Sequence, residues 1–311
     1  MTAMRNGEID FLRFVFAIII VFYHFNLNYT LGFFVNGYIG VEFFFVVSGY
    51  LMAKHVERKN ENYTDLGMLA DETWHYLIGK VKIFYKYYFS VIILQVIIQN
   101  ILIRHEGLAK IAYGLFSSIP TFTLTFMGLN YKGVHLYVGN TWYLSAMLIA
   151  IFILYPILLR HYKFSVEIVF PFIALFFLGY LVATNNEIAK WEEWSGIAYF
   201  GVFRAVAEMA LGGSLFQLSV YLTSNSKMLS SSKRLAKYII TMVKILCYAI
   251  VIVFAYGSIF GETFKPGFNL HALLFCSLGV LLSFSNAGYC IPDSKITRYL
   301  GKRPRPYNGV N

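Results

Sequence analysis

The stretch "IDFLRFVFAIIIVFYHF", residues 9–25, decides the fold. Apart from Asp10, Arg13 and His24 it is apolar or aromatic. About 20 residues of this kind form a helix that crosses roughly 30 Å of hydrocarbon. A charge at the centre of a bilayer costs on the order of 2.5–3.5 kcal/mol, so ionisable residues in such a run are functional candidates. Arg13 and His24 are eleven positions apart, roughly three turns plus 20°. They share one face of the helix, about 16 Å apart along its axis. An interfacial arginine with a histidine hydrogen-bonded to a neighbouring helix also satisfies this pattern. A neutral imidazole in that position is a competent general base.

Composition extends the reading to the whole chain. Of 311 residues, 58% are hydrophobic and 14% charged, which excludes an ordinary soluble domain. A net charge of +10 would suggest a nucleic-acid partner in a soluble protein; here it fits the Lys/Arg excess of cytoplasmic loops. Aromatic residues reach 19%, with many tyrosines near the ends of apolar runs, where interfacial rings sit. The first run is too long for a signal peptide, holds His24 and lacks a small-x-small cleavage site, so it reads as a retained helix. Cys247, Cys276 and Cys290 show no paired spacing and read as structural. His55, His75, His105, His135, His161 and His271 are scattered, so no metal is expected.

The runs 9–27, 37–54, 81–103, 140–159, 165–184, 196–222, 237–256 and 268–287 are expected to span the membrane. A further run, 108–127, is rich in Ser and Thr and broken by Pro120. If it does not cross and the N-terminus is cytoplasmic, the inside holds Lys54, Arg58, Lys59, Lys80, Lys82, Arg160, Lys163, Lys227, Lys233, Arg234, Lys237, Lys295, Arg298, Lys302, Arg303 and Arg305. The outside then holds only Arg104, Lys110, Lys132, Lys190 and Lys265. If it does cross, this bias is lost, so the positive-inside rule favours eight crossings and a re-entrant or interfacial 108–127. The expected fold class is an all-α polytopic bundle of eight to nine spans located in the cytoplasmic (inner) membrane.

The second run, "GYIGVEFFFVVSGYLMAK" (37–54), places Glu42 among aromatics. Counting from the run ends puts Glu42 and His24 each about 22 Å above the inner face, so two antiparallel neighbours would bring them to one level. Glu42 is then expected to orient His24; pairing with Arg204, or protonation, are the alternatives. Ser48-Gly49 offers a hydroxyl and a small packing surface. Arg204 and Glu208, four apart, could pair on one helix face or serve catalysis, and Gly212-Gly213 favours close helix contact.

These residues carry a resemblance. Asp10, Arg13 and His24 match the opening of the acyltransferase-3 family of membrane acyltransferases, and Gly40, Val41, Glu42, Phe44, Phe45, Ser48 and Gly49 its next signature. Trp142, Leu144, Ser145, Tyr155 and Pro156 resemble its Trp-x-Leu-Ser…Tyr-Pro element, and Arg204, Glu208 and Gly212 its Arg…Glu…Gly helix. The matches run in family order from residue 10 to about residue 302. Departures are Phe14 where the family has Gly, Tyr85 where it has Pro, and Met147 where many members have Glu. After Tyr299-Leu300-Gly301-Lys302 the chain reads "RPRPYNGVN" in place of the family's closing helix. The expected division is a membrane acyltransferase domain, 1–302, and a short tail, 303–311.

The resemblance implies transfer of an acyl group, usually acetyl from acetyl-CoA, to a hydroxyl of a cell-surface polysaccharide or glycolipid, with no metal needed. Arg13, Lys54, Arg58, Lys80 and Lys82 are the expected cations for the donor's phosphates near the inner face. His24 is the expected base or acyl carrier, and a basic side chain or Ser48 the oxyanion donor. Trp142, Arg204 and Glu208 are expected structural or accessory residues. Competing readings are a non-catalytic partner of polysaccharide export or assembly, and an inactive truncated acyltransferase.

Overall fold

The structure is a computed structural model that describes residues 6–29, 32–59, 63–98, 107–128, 141–225, 233–257, 268–285, 288–291 and 297. Arg104, Lys132, Lys227, Lys265, the basic positions 295–305 and the tail after 302 lie outside the described residues. The described residues form helices and no strand: α1 (Gly7–Tyr29), α2 (Ile39–Lys59), α3 (Leu66–Val96), α4 (Leu108–Ser117), α5 (Ile119–Phe122), α6 (Trp142–Arg160), α7 (Tyr162–Phe164), α8 (Phe170–Asn185), α9 (Phe200–Asn225), α10 (Lys233–Tyr256) and α11 (Phe268–Phe284). A π turn joins α7 to α8, so Tyr162–Asn185 runs as one apolar segment. Among the described residues, five segments are long and apolar enough to cross a membrane: Ile39–Lys59, Trp142–Arg160, Tyr162–Asn185, Phe200–Thr223 and Arg234–Tyr256. Helix α11 is apolar but 17 residues long. Exposed Phe172, Leu175 and Phe176 on α8, and Leu235, Ile239, Met242 and Leu246 on α10, make faces suited to lipid rather than water.

Backbone contacts divide the chain into two units. The first draws on Met1–Glu61, His161–Lys190 and Val206–Lys302, and the second on Asn62–Arg160, Trp191–Ala205 and Arg303–Asn311.

In the first unit α1 is started by Asn6, whose Oδ1 accepts from the backbone N–H of Glu8 (3.1 Å) and Ile9 (3.2 Å). Glu8 and Asp10 then sit in the first turn, where the helix dipole favours anions. The start of α1 meets the end of α11, because Ser283 Oγ donates to Glu8 at 2.6 Å. The second half of α2 is at the same end: Tyr50 stacks on Phe284 with centroids 3.8 Å apart and shares a 2.7 Å hydrogen bond with Ser219 of α9. Gln217 of α9 donates to Glu167, at the start of the Tyr162–Asn185 segment. The opposite end gathers Tyr23, Tyr38, the end of α10 and the start of α11: Asn36 Nδ2 donates to the Phe254 carbonyl and Tyr38 OH to Asn269 Oδ1, at 3.1 and 2.8 Å. These are called the Glu8 end and the His24 end below.

Helices α2 and α9 touch backbone to backbone. A Cβ on Gly49 would run into the Met209 carbonyl, and one on Gly212 into the Val46 carbonyl. The small surface read from Ser48-Gly49 and Gly212-Gly213 is thus the crossing point of two helices.

In the second unit α3 is 31 residues long, about 46 Å, because its span is continuous with the preceding polar segment. The sequence reading starts this span at residue 81; the Asp65 cap, accepting from Met68 N at 2.9 Å, starts the helix at Leu66. Lys80 and Lys82 therefore lie within a helix rather than a loop. Helix α6 lies antiparallel to α3, with Tyr155 stacked on Tyr76 (4.1 Å) and Leu144 and Leu148 against the Tyr88–Ile92–Val96 cluster. The 108–127 run is broken, as its Pro120 suggests, into α4, α5 and a turn at Phe126–Gly128. It folds at the α6 start, where Tyr88 OH donates to the Thr121 carbonyl (2.6 Å) and Met127 N to Ser145 Oγ (3.2 Å). No piece of it is long enough to cross.

Gly49→Val and Gly212→Val are each expected to destabilise by at least about 1–3 kcal/mol through overpacking, read as a lower Tm in detergent. Gly79→Ala and Gly179→Ala, where a Cβ meets nothing within 4 Å, should hold or raise Tm. An unchanged Tm in Gly49→Val would refute the close crossing.

Candidate active site

His24 lies on α1, half-buried, beside the ring of Tyr23 at 5.2 Å. The register between α1 and α2 follows from their contacts. Phe16 stacks on Phe43 at 4.3 Å. Gly40 lies against the Ile20 side chain and the Phe16 carbonyl, and Gly37 against Tyr23 Cβ and the Ile19 carbonyl. Glu42 is therefore level with the Phe16 turn, and His24 stands about eight residues farther out, ~12 Å along the axis. This corrects the equal depths expected of Glu42 and His24. The cause is the connector, which folds back along α1 before α2 begins: Phe33 and Phe34 each pack on Phe22 at 5.6 Å, and Gly37 N donates to the Phe34 carbonyl at 3.0 Å. Helix α2 thus starts deeper than a connector looping outward would place it.

Glu42 is fully buried, as is Glu208 on α9, and both lie within electrostatic reach of buried Cys276 on α11. Three helices bring two carboxylates and a thiol into one low-dielectric layer, where charges interact far more strongly than in water. In depth this layer is nearer Arg13 than His24. Arg13 donates to Asp10 Oδ1 at 3.4 Å, an i,i+3 pair on α1. Ser48 is partly buried next to the Gly49 crossing. Lys54 is half-buried with its ammonium 6.0 Å from the Phe284 ring, and Arg58, one turn on, is exposed.

In the second unit Lys80 stands 4.8 Å over Tyr76, whose partner Tyr155 donates its hydroxyl to Glu72 at 3.0 Å. Lys82 is exposed. Trp142 stacks on Trp191 at 5.2 Å, and the fully buried Arg204 guanidinium lies 5.3 Å over the Trp142 ring. Arg204 thus has a cation–π partner that the Arg204–Glu208 spacing does not reveal. Among the described residues no group of three or more His, Cys, Asp or Glu is placed to hold a metal.

A family model for acyltransferase domains, that of the acyltransferase-3 family, matches residues 6–303. The chain belongs to the acyltransferase-3 family. With several helices able to span a bilayer, it is a multi-pass membrane acyltransferase. No curated protein and no solved structure matches the chain.

This acyltransferase also holds a buried charge cluster absent from the sequence reading. Lys244 Nζ, on α10, donates to the Glu8 carboxylate and to the Tyr289 carbonyl, each at 2.9 Å. Ser283 Oγ donates to Glu8, Tyr248 OH is 3.1 Å from Ser283 Oγ, and Asn6 Nδ2 donates to the Ser283 carbonyl at 2.9 Å. Glu8 and Lys244 are 4% and 5% exposed, so neither charge has water to fall back on. The signal was present: Lys244 is the lone charged residue in the run 238–256, the same anomaly that marks Arg13 and Glu42. Asn269 and Glu187, near chain turns, carry no such signal.

Glu8→Gln or Lys244→Met alone should cost about 3–5 kcal/mol by leaving one buried charge uncompensated. The double variant Glu8→Leu/Lys244→Met should recover much of that loss in Tm. Costs that simply add would show that the two groups do not act as a pair.

Proposed function

We propose that this acyltransferase moves an acetyl group from acetyl-CoA to a hydroxyl of a cell-surface polysaccharide or glycolipid. Family membership supports acyl transfer, and the observation that carries the rest is the position of His24. Its imidazole is half-buried at one end of the first unit, on the same helix as Arg13 and about 16 Å from it. As general base, His24 takes the proton of the acceptor hydroxyl while that oxygen attacks the thioester carbonyl. The carbon–sulfur bond then breaks, the acetyl ester forms, and the coenzyme A thiolate leaves with the proton returned by the imidazolium. Arg13, Lys54 and Arg58 lie toward the Glu8 end of the same unit and supply cations for the donor's phosphates. Lys80 and Lys82 offer the same chemistry on α3. Glu42 and Ser48 lie on the donor side of His24, toward Arg13. Ser48, six residues past Glu42, is about 20 Å from His24 along the axis, too far to meet the thioester oxygen there, so the oxyanion role expected of Ser48 is not part of this reading.

The same reading has eight crossings, an inner-membrane location and a cytoplasmic N-terminus. Parity supports the count: the end of α2 and the start of the Tyr162–Asn185 segment share the Glu8 end, so an even number of crossings lies between them. Helices α3 and α6 supply two, leaving 108–127 outside the count. Orientation is supported by Lys54, Arg58, Lys59, Lys163, Arg234 and Lys237, all on helix ends gathered at the Glu8 end.

His24→Ala should lower incorporation of labelled acetyl from acetyl-CoA into surface polysaccharide by at least about 100-fold, with membrane insertion unchanged. Undiminished label would remove His24 from the chemistry. Cysteines introduced at Thr223 and Arg234 should react with an impermeant maleimide only in inverted vesicles, and one at Asn186 only in intact cells. The reverse pattern would invert the topology.

A further inference from the structure

At the His24 end of the first unit, three chain segments meet through a polar relay. Tyr38, in the connector before α2, donates its hydroxyl to Asn269 Oδ1 at 2.8 Å. Asn269, in the first turn of α11, donates its amide to Glu187 Oε2 at 3.4 Å. Glu187 is placed there by the end of α8, where Asn186 caps the helix in the left-handed conformation (φ 58°) and bonds back to the Val182 carbonyl. The buried Ile188 then anchors the turn. The Tyr38 ring edges onto Tyr23 at 5.9 Å, and Tyr23 is the neighbour of His24. The relay thus stands at the depth of His24, not at the depth of Glu42.

We propose that Asn269 and Glu187 form the acceptor clamp, binding a vicinal diol of the sugar whose hydroxyl His24 deprotonates. The inference rests on the function proposed above and assigns its acceptor side. An amide and a carboxylate side by side present the donors and acceptors that neighbouring hydroxyls need. Their link is the loosest in the relay. At 3.4 Å it is near the limit of a hydrogen bond, so inserting a hydroxyl between amide and carboxylate replaces a weak contact with two good ones. Asn269 is 6% exposed and its Oδ1 accepts from Tyr38 OH, so its amide is oriented before the sugar arrives. Glu187 is half-buried, open enough to receive a ligand. Tyr23 and Tyr38 add the aromatic surface against which a sugar's C–H face packs. A relay that only tied the three segments together would affect both substrates alike.

The test uses the full-length protein in membranes, labelled acetyl-CoA, and surface polysaccharide from the same cells freed of its esters by mild base. Asn269→Ala and the milder, isosteric Glu187→Gln should each raise KM for polysaccharide about tenfold, while KM for acetyl-CoA stays within twofold. Label recovered in the aqueous polymer or in the organic extract tells whether the diol belongs to the finished polysaccharide or to a lipid-linked precursor; either supports the clamp. Parallel shifts in both KM values, or no shift in either variant, would overturn it. A wild-type protein that transfers no label would overturn the acetyl-transfer reading itself, and the clamp with it.

Discussion

The first unit depends on one close approach, the crossing of α2 and α9 at Gly49 and Gly212. Helices in lipid gain nothing from hiding apolar surface, because the tails are as apolar as leucine. What holds them is contact area and polar pairing, and both need the backbones near each other. With side chains at Gly49 and Gly212 the carbonyls of Met209 and Val46 would be pushed away. The consequence reaches along both helices. Glu42, seven residues before Gly49, and Glu208, four before Gly212, come within electrostatic range of the same thiol on α11. Tyr50, one residue past the crossing, meets Ser219 and Phe216 on one side and Phe284 on the other.

Charge is handled by position rather than by exclusion. At the Glu8 end the carboxylate and ammonium of Glu8 and Lys244 are nearly sealed from solvent, and each has a further hydrogen bond: Glu8 accepts from Ser283 at the end of α11, and Lys244, in the middle of α10, donates to the Tyr289 carbonyl. A buried pair of this kind gives little net stability against an apolar replacement, but leaving either charge alone is costly. It therefore specifies an arrangement: the start of α1 can dock only where α10 presents its lysine. Arg13 and His24 ride on that helix, so the pairing fixes their depth and facing.

Much of this was legible because membrane burial makes an anomaly out of any charge. Arg13, Glu42 and Arg204 stand out against apolar runs, and the glycines that mark the α2–α9 contact stand out against bulky neighbours. The broken 108–127 segment was legible through Pro120, and the helix boundaries of α2, α6 and α9 fall within a few residues of the apolar runs. Depth was not. A run of apolar residues states where a helix can lie, not how far its connector folds back, so the descent of Phe33–Tyr38 along α1 could not be read from spacing. Nor does period reveal length when a polar helix is continuous with an apolar one, as in α3. Trp191, which stacks on Trp142, lies in an irregular segment that offers no periodicity to place it.

The separation of Glu42 from His24 changes what the two can do. A carboxylate about 12 Å away along the axis cannot hydrogen-bond an imidazole, so it cannot fix its tautomer as an orienting acid must. It can act on what passes between the Glu8 end and His24. On the proposed function, a donor arriving from the Glu8 end would meet the Arg13–Glu42 layer before its carbonyl reached His24, while an acceptor arriving from the other end would meet Tyr38, Asn269 and Glu187. Each substrate would then have its own polar layer, with His24 on the acceptor side of the deeper one. The apolar turns between the layers, lined by Phe16, Ile19 and Ile20, give water few polar groups to bind. If the proposed function holds, that favours the thioester's survival until a hydroxyl is held beside His24. Under that reading, transfer to an alcohol in a world of water needs the dry interval more than it needs a second acid beside the histidine.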